Sequence, residues 1–115
     1  MSTATVTKQW LDICASDDIL IDCGACALVD NQQVAIFRLS SGDWYAIDNH
    51  DPIGGANVLS RGLVAEIDGT PTISSPLFRH HFSLQDGHCL QDQTISVATF
   101  PIRIDNGRVQ LRAQR

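Results

Sequence analysis

The dipeptide Asn106-Gly107, at the centre of FPIRIDNGRVQLR (residues 100–112), constrains the fold more than any other feature of this chain. Asn-Gly between two alternating runs is the favoured type I′ hairpin turn, because both central positions need a positive φ. A two-residue turn also leaves no freedom of register, so Ile104 falls opposite Val109 and Ile102 opposite Leu111. Those four residues share one face. Arg103, Arg108, Gln110 and Arg112 share the other, which describes a half-buried edge hairpin. The same reading extends upstream. CALVDNQQVAIFRL (26–39) is two aliphatic and β-branched runs joined at Asp30-Asn31, a second hairpin. Ser40-Ser41-Gly42-Asp43 turns the chain into WYAI (44–47), and Asp68-Gly69 joins LVAEI (63–67) to TPTI (70–73). Helix signals are sparse: WLDIC (10–14) reads as a short strand, and residues 56–61 as one helical turn. Many short strands between Gly, Asn and Asp turns predict an all-β sandwich or small barrel.

A chain of 115 residues suits one domain (1–115) with its own core, and residues 1–7 are expected to be disordered. The net charge of −5 argues against a nucleic-acid groove. The charge is uneven: residues 1–57 carry eight acids against Lys8 and Arg38, whereas residues 58–115 carry five acids against six arginines. The N-terminus lacks the pattern of a signal peptide, and no apolar run reaches membrane-spanning length. A cytoplasmic location is therefore expected, where thiols stay reduced. Cys14, Cys23, Cys26 and Cys89 then read as small apolar side chains or metal donors rather than disulfides. Redox use of Cys23-Gly-Ala-Cys26 would need a helix N-terminus after a strand. This C-x-x-C leads into a hairpin instead, so we read it as small residues entering a strand.

Function is expected in the two loops of unusual composition, DNHDPIGGANVLSRG (48–62) and SSPLFRHHFSLQDG (74–87). Neither carries a G-x-S-x-G elbow for a Ser74 or Ser75 nucleophile, and Gly54-Gly55 lacks the rest of a phosphate-binding loop. Glu66, the single glutamate, sits in a strand pattern. His50, His80, His81, His88 and Cys89 are potential metal donors. His80 and His81 are adjacent and point to opposite faces if extended, and four converging donors cannot be assembled from this set.

Together the loops resemble those of the Rieske iron–sulfur fold, in which two loops hold a [2Fe–2S] cluster through two Cys and two His ligands. Asp48-Asn49 followed by HDPIGGANVLSRG matches that family's N-x-C-P-H…L…G, and SPLFRHHFSLQDG matches its C-P-x-H-x-x-x-F-x-x-x-x-G. The alignment puts Asp51 and Ser75 at the Cys positions, and Ile53 and Phe78 at the His positions. Ile53 and Phe78 have no lone pair to give, and Asp51 and Ser75 replace soft thiolates with hard oxygens. No cluster is expected in this chain.

A Rieske-like domain with replaced ligands resembles one family in particular, the small subunits of the cytoplasmic NAD(P)H-dependent nitrite reductases. Asp51, Pro52, Ala56, Val58, Leu59, Ser60, Arg61 and Gly62 match its first-loop pattern. Ser75, Pro76, Leu77, Phe82, Leu84 and Gly87 match the second. The resemblance implies a Rieske-like all-β fold and no catalytic residue in this chain. It also implies a large-subunit partner that carries FAD, siroheme and an iron–sulfur cluster and reduces nitrite to ammonium. Arg61, Arg79, His80 and His81 form the expected partner-contact rim, and Ile53 is expected to pack mainly on Phe78, the alternative being that the two stay partly exposed and anchor an interface. The arginines of the last hairpin, with Arg115 in the tail, offer a second candidate surface. Two other readings stand beside this one: a Rieske-type ferredoxin component, and a free-standing binding or regulatory module.

Overall fold

A computed structural model describes residues 9–112. Its centre is an antiparallel sheet of β2 (Cys23–Val29), β3 (Gln32–Arg38) and β4 (Trp44–Asp48), in that order. The sequence of β3 explains its place. Val34, Ala35, Ile36 and Phe37 are all at most 1% exposed, so both faces of the strand are covered. Successive side chains alternate in direction. Ala35 and Phe37 join one cluster, with Ile47, Leu59, Ile73, Phe82, Leu84 and Cys89. Val34 and Ile36 join a second, with Ala46, Phe100, Val109 and Leu111.

The second cluster is closed by a sheet of β1 (Leu11–Ala15), β11 (Arg108–Leu111) and β10 (Ile102–Asp105), with β11 in the middle. The first is closed by β7 (Leu63–Ile67), β8 (Thr70–Ser74) and β9 (His81–Ser83). Between β4 and β7 lie a two-stranded ribbon, β5 (His50–Asp51) with β6 (Ala56–Asn57), and a 3-10 turn over Leu59–Arg61. This is the all-β architecture expected.

Three hairpins share one turn chemistry. Asp30 and Asn31, Asp68 and Gly69, and Asn106 and Gly107 all have φ between 49° and 81°. Positive φ at both central residues gives the turn a twist that matches the flanking strands. The register of the last hairpin is as read from sequence, with Ile104 opposite Val109 and Ile102 opposite Leu111.

Several expectations need correction. β2 starts at Cys23, three residues earlier than read, so the C-x-x-C lies inside the strand. Its odd spacing sends Cys23 and Cys26 to opposite faces, and all four cysteines are free. The last hairpin is not simply an edge: β1 pairs with β11, leaving β10 outside and Ile104 37% exposed. Its arginines are engaged within the chain. The Arg103 and Arg112 guanidinium groups lie 4.5 and 4.8 Å from the centre of the Trp10 ring. Arg108 holds both carboxylate oxygens of Asp12, at 3.1 and 2.7 Å. Arg115 and residues 1–7 lie outside the described residues. The helical turn read over 56–61 is a 3-10 turn over Leu59–Arg61 after a short strand, and residues 81–83 of the second loop are a strand. Among the described residues no helix is long and apolar enough to cross a membrane.

Candidate functional site at the loop junction

The first loop is organised by Asn49, which is 2% exposed. Its Nδ2 donates to Gln33 Oε1 at 3.0 Å and to the Asn57 carbonyl at 3.2 Å. Its Oδ1 accepts from the Ser60 N–H at 2.7 Å, and its own carbonyl accepts from the Leu59 N–H at 3.0 Å. One amide thus ties the ribbon and the 3-10 turn to the central sheet, as a buried amide must if its polar atoms are not to be stranded. Asn49 belonged to the aligned loop pattern, but nothing in the sequence marked it as the hub.

The second loop is a closed turn. The Ser75 N–H donates to the His80 carbonyl (2.9 Å), and the Arg79 N–H donates to the Ser75 carbonyl (3.0 Å). Arg79 takes φ 59°, an uncommon backbone for a residue with a side chain.

The loops meet at Asp51 and Ser75, each 1% exposed. Ser75 Oγ donates to Asp51 Oδ2, while the Ile53 and Gly54 N–H groups donate to Oδ1 at 2.8 and 3.1 Å. The Leu77 N–H in turn donates to Ser75 Oγ at 3.2 Å. Burial works against the charge on Asp51. The hydrogen bonds from Ser75, Gly54 and Ile53, with His80 nearby, outweigh it and hold the carboxyl below its ordinary range. The two positions aligned with cysteine ligands are therefore joined directly to each other.

Apolar contact supports that bridge through a different residue from the one expected. A Cβ placed on Gly54 would lie 2.3 Å from Leu77 Cδ1, so Gly54 is the notch that receives Leu77. Ile53 is half-buried against the first core cluster. Phe78 points away and is 63% exposed, whereas Leu77 is 43% exposed. The expected packing of Ile53 on Phe78 is replaced by Leu77 over Gly54. The closed turn over 75–80, with its left-handed residue at Arg79, decides which side chain faces inward.

The remaining candidates are spread out. Arg61 and Arg79 are exposed, and His80 and His81 are half-buried. His80 Nδ1 is buried with no hydrogen-bond partner among the described residues. His81 Nδ1 lies 3.2 Å from Gln91 Nε2, His50 Nδ1 lies 2.9 Å from Asn57 Oδ1, and His88 lies beside Asp86. Among the described residues no three His, Cys, Asp or Glu side chains gather closely enough to hold a metal ion.

The residues present do not fit a [2Fe–2S] cluster. Its iron atoms need two thiolates and two imidazoles at these positions. Ile53 and Phe78 offer no donor atom, Ser75 spends its proton on Asp51, and the Asp51 oxygens are already occupied by three donors.

The profile of the Rieske-like [2Fe–2S] domain family matches residues 9–112. Over 106 residues the chain is 49% identical to the nitrite reductase (NADH) small subunit of Escherichia coli K12, a match spanning 91% of this chain and 98% of that one. The chain belongs to the nitrite reductase small subunits of the Rieske-like family. In three dimensions this small subunit is similar to the solution structure of the Escherichia coli protein NirD. The TM-score is 0.87 at 46% identity, over 95% of this chain and all of that one. A further match covers 97% of this chain but 12% of the nitrite reductase [NAD(P)H] large subunit of Klebsiella oxytoca, at 36% identity. A segment like this small subunit is thus built into that longer chain.

Proposed function

We propose that this chain is the non-catalytic small subunit of an assimilatory NAD(P)H nitrite reductase, lending a docking surface to a large subunit that reduces nitrite to ammonium. FAD, siroheme and an iron–sulfur cluster belong to the large subunit in this reading, and the small subunit holds none of them. The observation that carries it is the loop junction: the two Cys-aligned positions, Asp51 and Ser75, are spent on a buried bridge, and one His-aligned position, Phe78, stands exposed beside it. A rigid tip with an exposed aromatic is what a hot spot requires, since aromatic anchors entering a pocket dominate interface energies. Arg79 and His80 follow Phe78 in the chain and supply polar contacts beside it, with Arg61 and His81 the further candidates, in a chain of net charge −5. The Klebsiella oxytoca relative supports the pairing, because there a homologous segment and a large subunit share one polypeptide. A ferredoxin role would need the cluster that these four positions do not fit.

The test is co-purification of the tagged small subunit with the large subunit. Phe78→Ala should weaken capture at least tenfold, and Arg79→Ala with His80→Ala should weaken it further while the circular dichroism spectrum stays unchanged. Capture unaffected by all three changes would remove the loop tip as the docking surface.

A further inference from the structure

A second surface lies along β2, far in character from the basic loop tip. β2 is an edge of the central sheet, and its sequence CGACALV contains no charge and no proline. Exposed strand edges are ordinarily guarded, because their free N–H and C=O groups template pairing with another chain. The outer strands of the other two three-stranded sheets show such guards: Asp12 and a register shift on β1, Arg103 and Asp105 on β10, Glu66 on β7, and only three residues in β9. β4 is covered, since Asp48 N–H donates to the Ala98 carbonyl and Phe100 N–H to the Ala46 carbonyl.

The register shows which groups of β2 have no strand partner among the described residues. Asn49 N–H bonds the Gln33 carbonyl and Asp22 N–H bonds the Arg38 carbonyl. Odd-numbered β3 residues therefore address the β4 side and even-numbered ones address β2. Their β2 partners are Cys23, Ala25, Ala27 and Val29. The backbone groups of Cys26 and Leu28 consequently point outward, and the Leu28 side chain is 68% exposed. Beside this edge runs a groove of about 390 Å³ between β1 and β2, with Ile13, Ile19, Ala25, Ala27 and Ile36 in its lining.

We propose that the β2 edge captures an extended segment of a protein partner, one with alternating apolar residues and Lys or Arg at both ends. Charge selects this occupant over a second copy. Asp22 and Asp30 bracket β2. In an antiparallel pairing of two copies along β2, the acidic end at Asp22 of each would lie near the acidic end at Asp30 of the other, and like charges brought together repel. Basic ends turn both clashes into attractions. The incoming strand bonds the outward-pointing groups of Cys26 and Leu28 and sets alternate side chains into the groove, the mode of strand addition. This inference is independent of the docking proposed for the loop tip.

The experiment titrates the full chain with a synthetic nine-residue peptide of alternating Val and Thr bearing Lys-Arg at both ends, read by amide NMR and hydrogen exchange. The Cys26 and Leu28 amides should shift and gain at least tenfold protection. A peptide with Glu at both ends should bind at least tenfold more weakly, and Leu28→Lys should reduce binding of the basic peptide similarly. Equal binding of the two peptides, or no response at Cys26 and Leu28, would overturn the proposal. So would slow exchange of these amides in the free chain, which would mean the edge is already filled. A concentration-dependent dimer abolished by Leu28→Lys would overturn it in favour of a second copy.

Discussion

Removing the hydroxyl of Ser75 isolates the interaction on which the loop junction rests. Ser75→Ala deletes the donor to Asp51 Oδ2 and the acceptor for the Leu77 N–H, both at a site 1% exposed. A hydrogen bond to a charged group contributes roughly 1.5–3 kcal/mol. The carboxylate keeps its two backbone donors, so the low half of that range applies, and the Leu77 N–H adds a smaller loss. A total of about 2 kcal/mol is expected, a fall in Tm of about 8 °C for a domain of this size. Urea unfolding followed by the fluorescence of Trp10 and Trp44 measures it. The pH dependence is the sharper test. The folded Asp51 carboxyl titrates below its unfolded value, so its charge contributes stability that is complete above an unfolded pKa of about 3.9. That contribution is lost as pH falls through the depressed folded value. The wild-type advantage over Ser75→Ala should hold near pH 7 and shrink below about pH 4. A cycle with Asp51→Asn should return a coupling of at least about 1 kcal/mol. A Ser75→Ala variant within about 0.5 kcal/mol of wild type, or a cost unchanged by acid, would refute the bridge as a stabilising charge-assisted bond.

Gly87→Ala should destabilise by about 2 kcal/mol or more in the same assay, because φ is +81° and the added Cβ would lie 2.1 Å from the Val97 carbonyl oxygen. Phe78→Ala, at a side chain 63% exposed, should change stability by less than about 0.5 kcal/mol, which makes the binding loss expected of it attributable to the interface. Asn49→Ala should cost about 3 kcal/mol, since it strands the Ser60 N–H and Asn57 carbonyl together; a small loss would mean water replaces the amide. Protein purified gently without air should be colourless; visible absorption with about two irons per chain, as a Rieske centre requires, would refute the reading of the four ligand positions.

The sequence by itself determined what depends on neighbours in the chain. Asp30-Asn31, Asp68-Gly69 and Asn106-Gly107 set three hairpins and their registers, because a two-residue turn with both φ positive permits one pairing. It also determined that Ile53 and Phe78 cannot bind iron, a matter of side-chain chemistry alone. What lay beyond it were contacts between distant segments. Asp51 and Ser75 are 24 residues apart, and only the packed fold brings carboxylate and hydroxyl into contact. Which of Leu77 and Phe78 turns inward depends on the closed turn and the space over Gly54, and both residues are apolar in the sequence. The last hairpin looked like an edge because its partner β1 is nearly a hundred residues away. β2 looked like an ordinary strand until the sheet order left its outer groups without a partner among the described residues. Local geometry is encoded locally, whereas burial and partnership are properties of the assembled core.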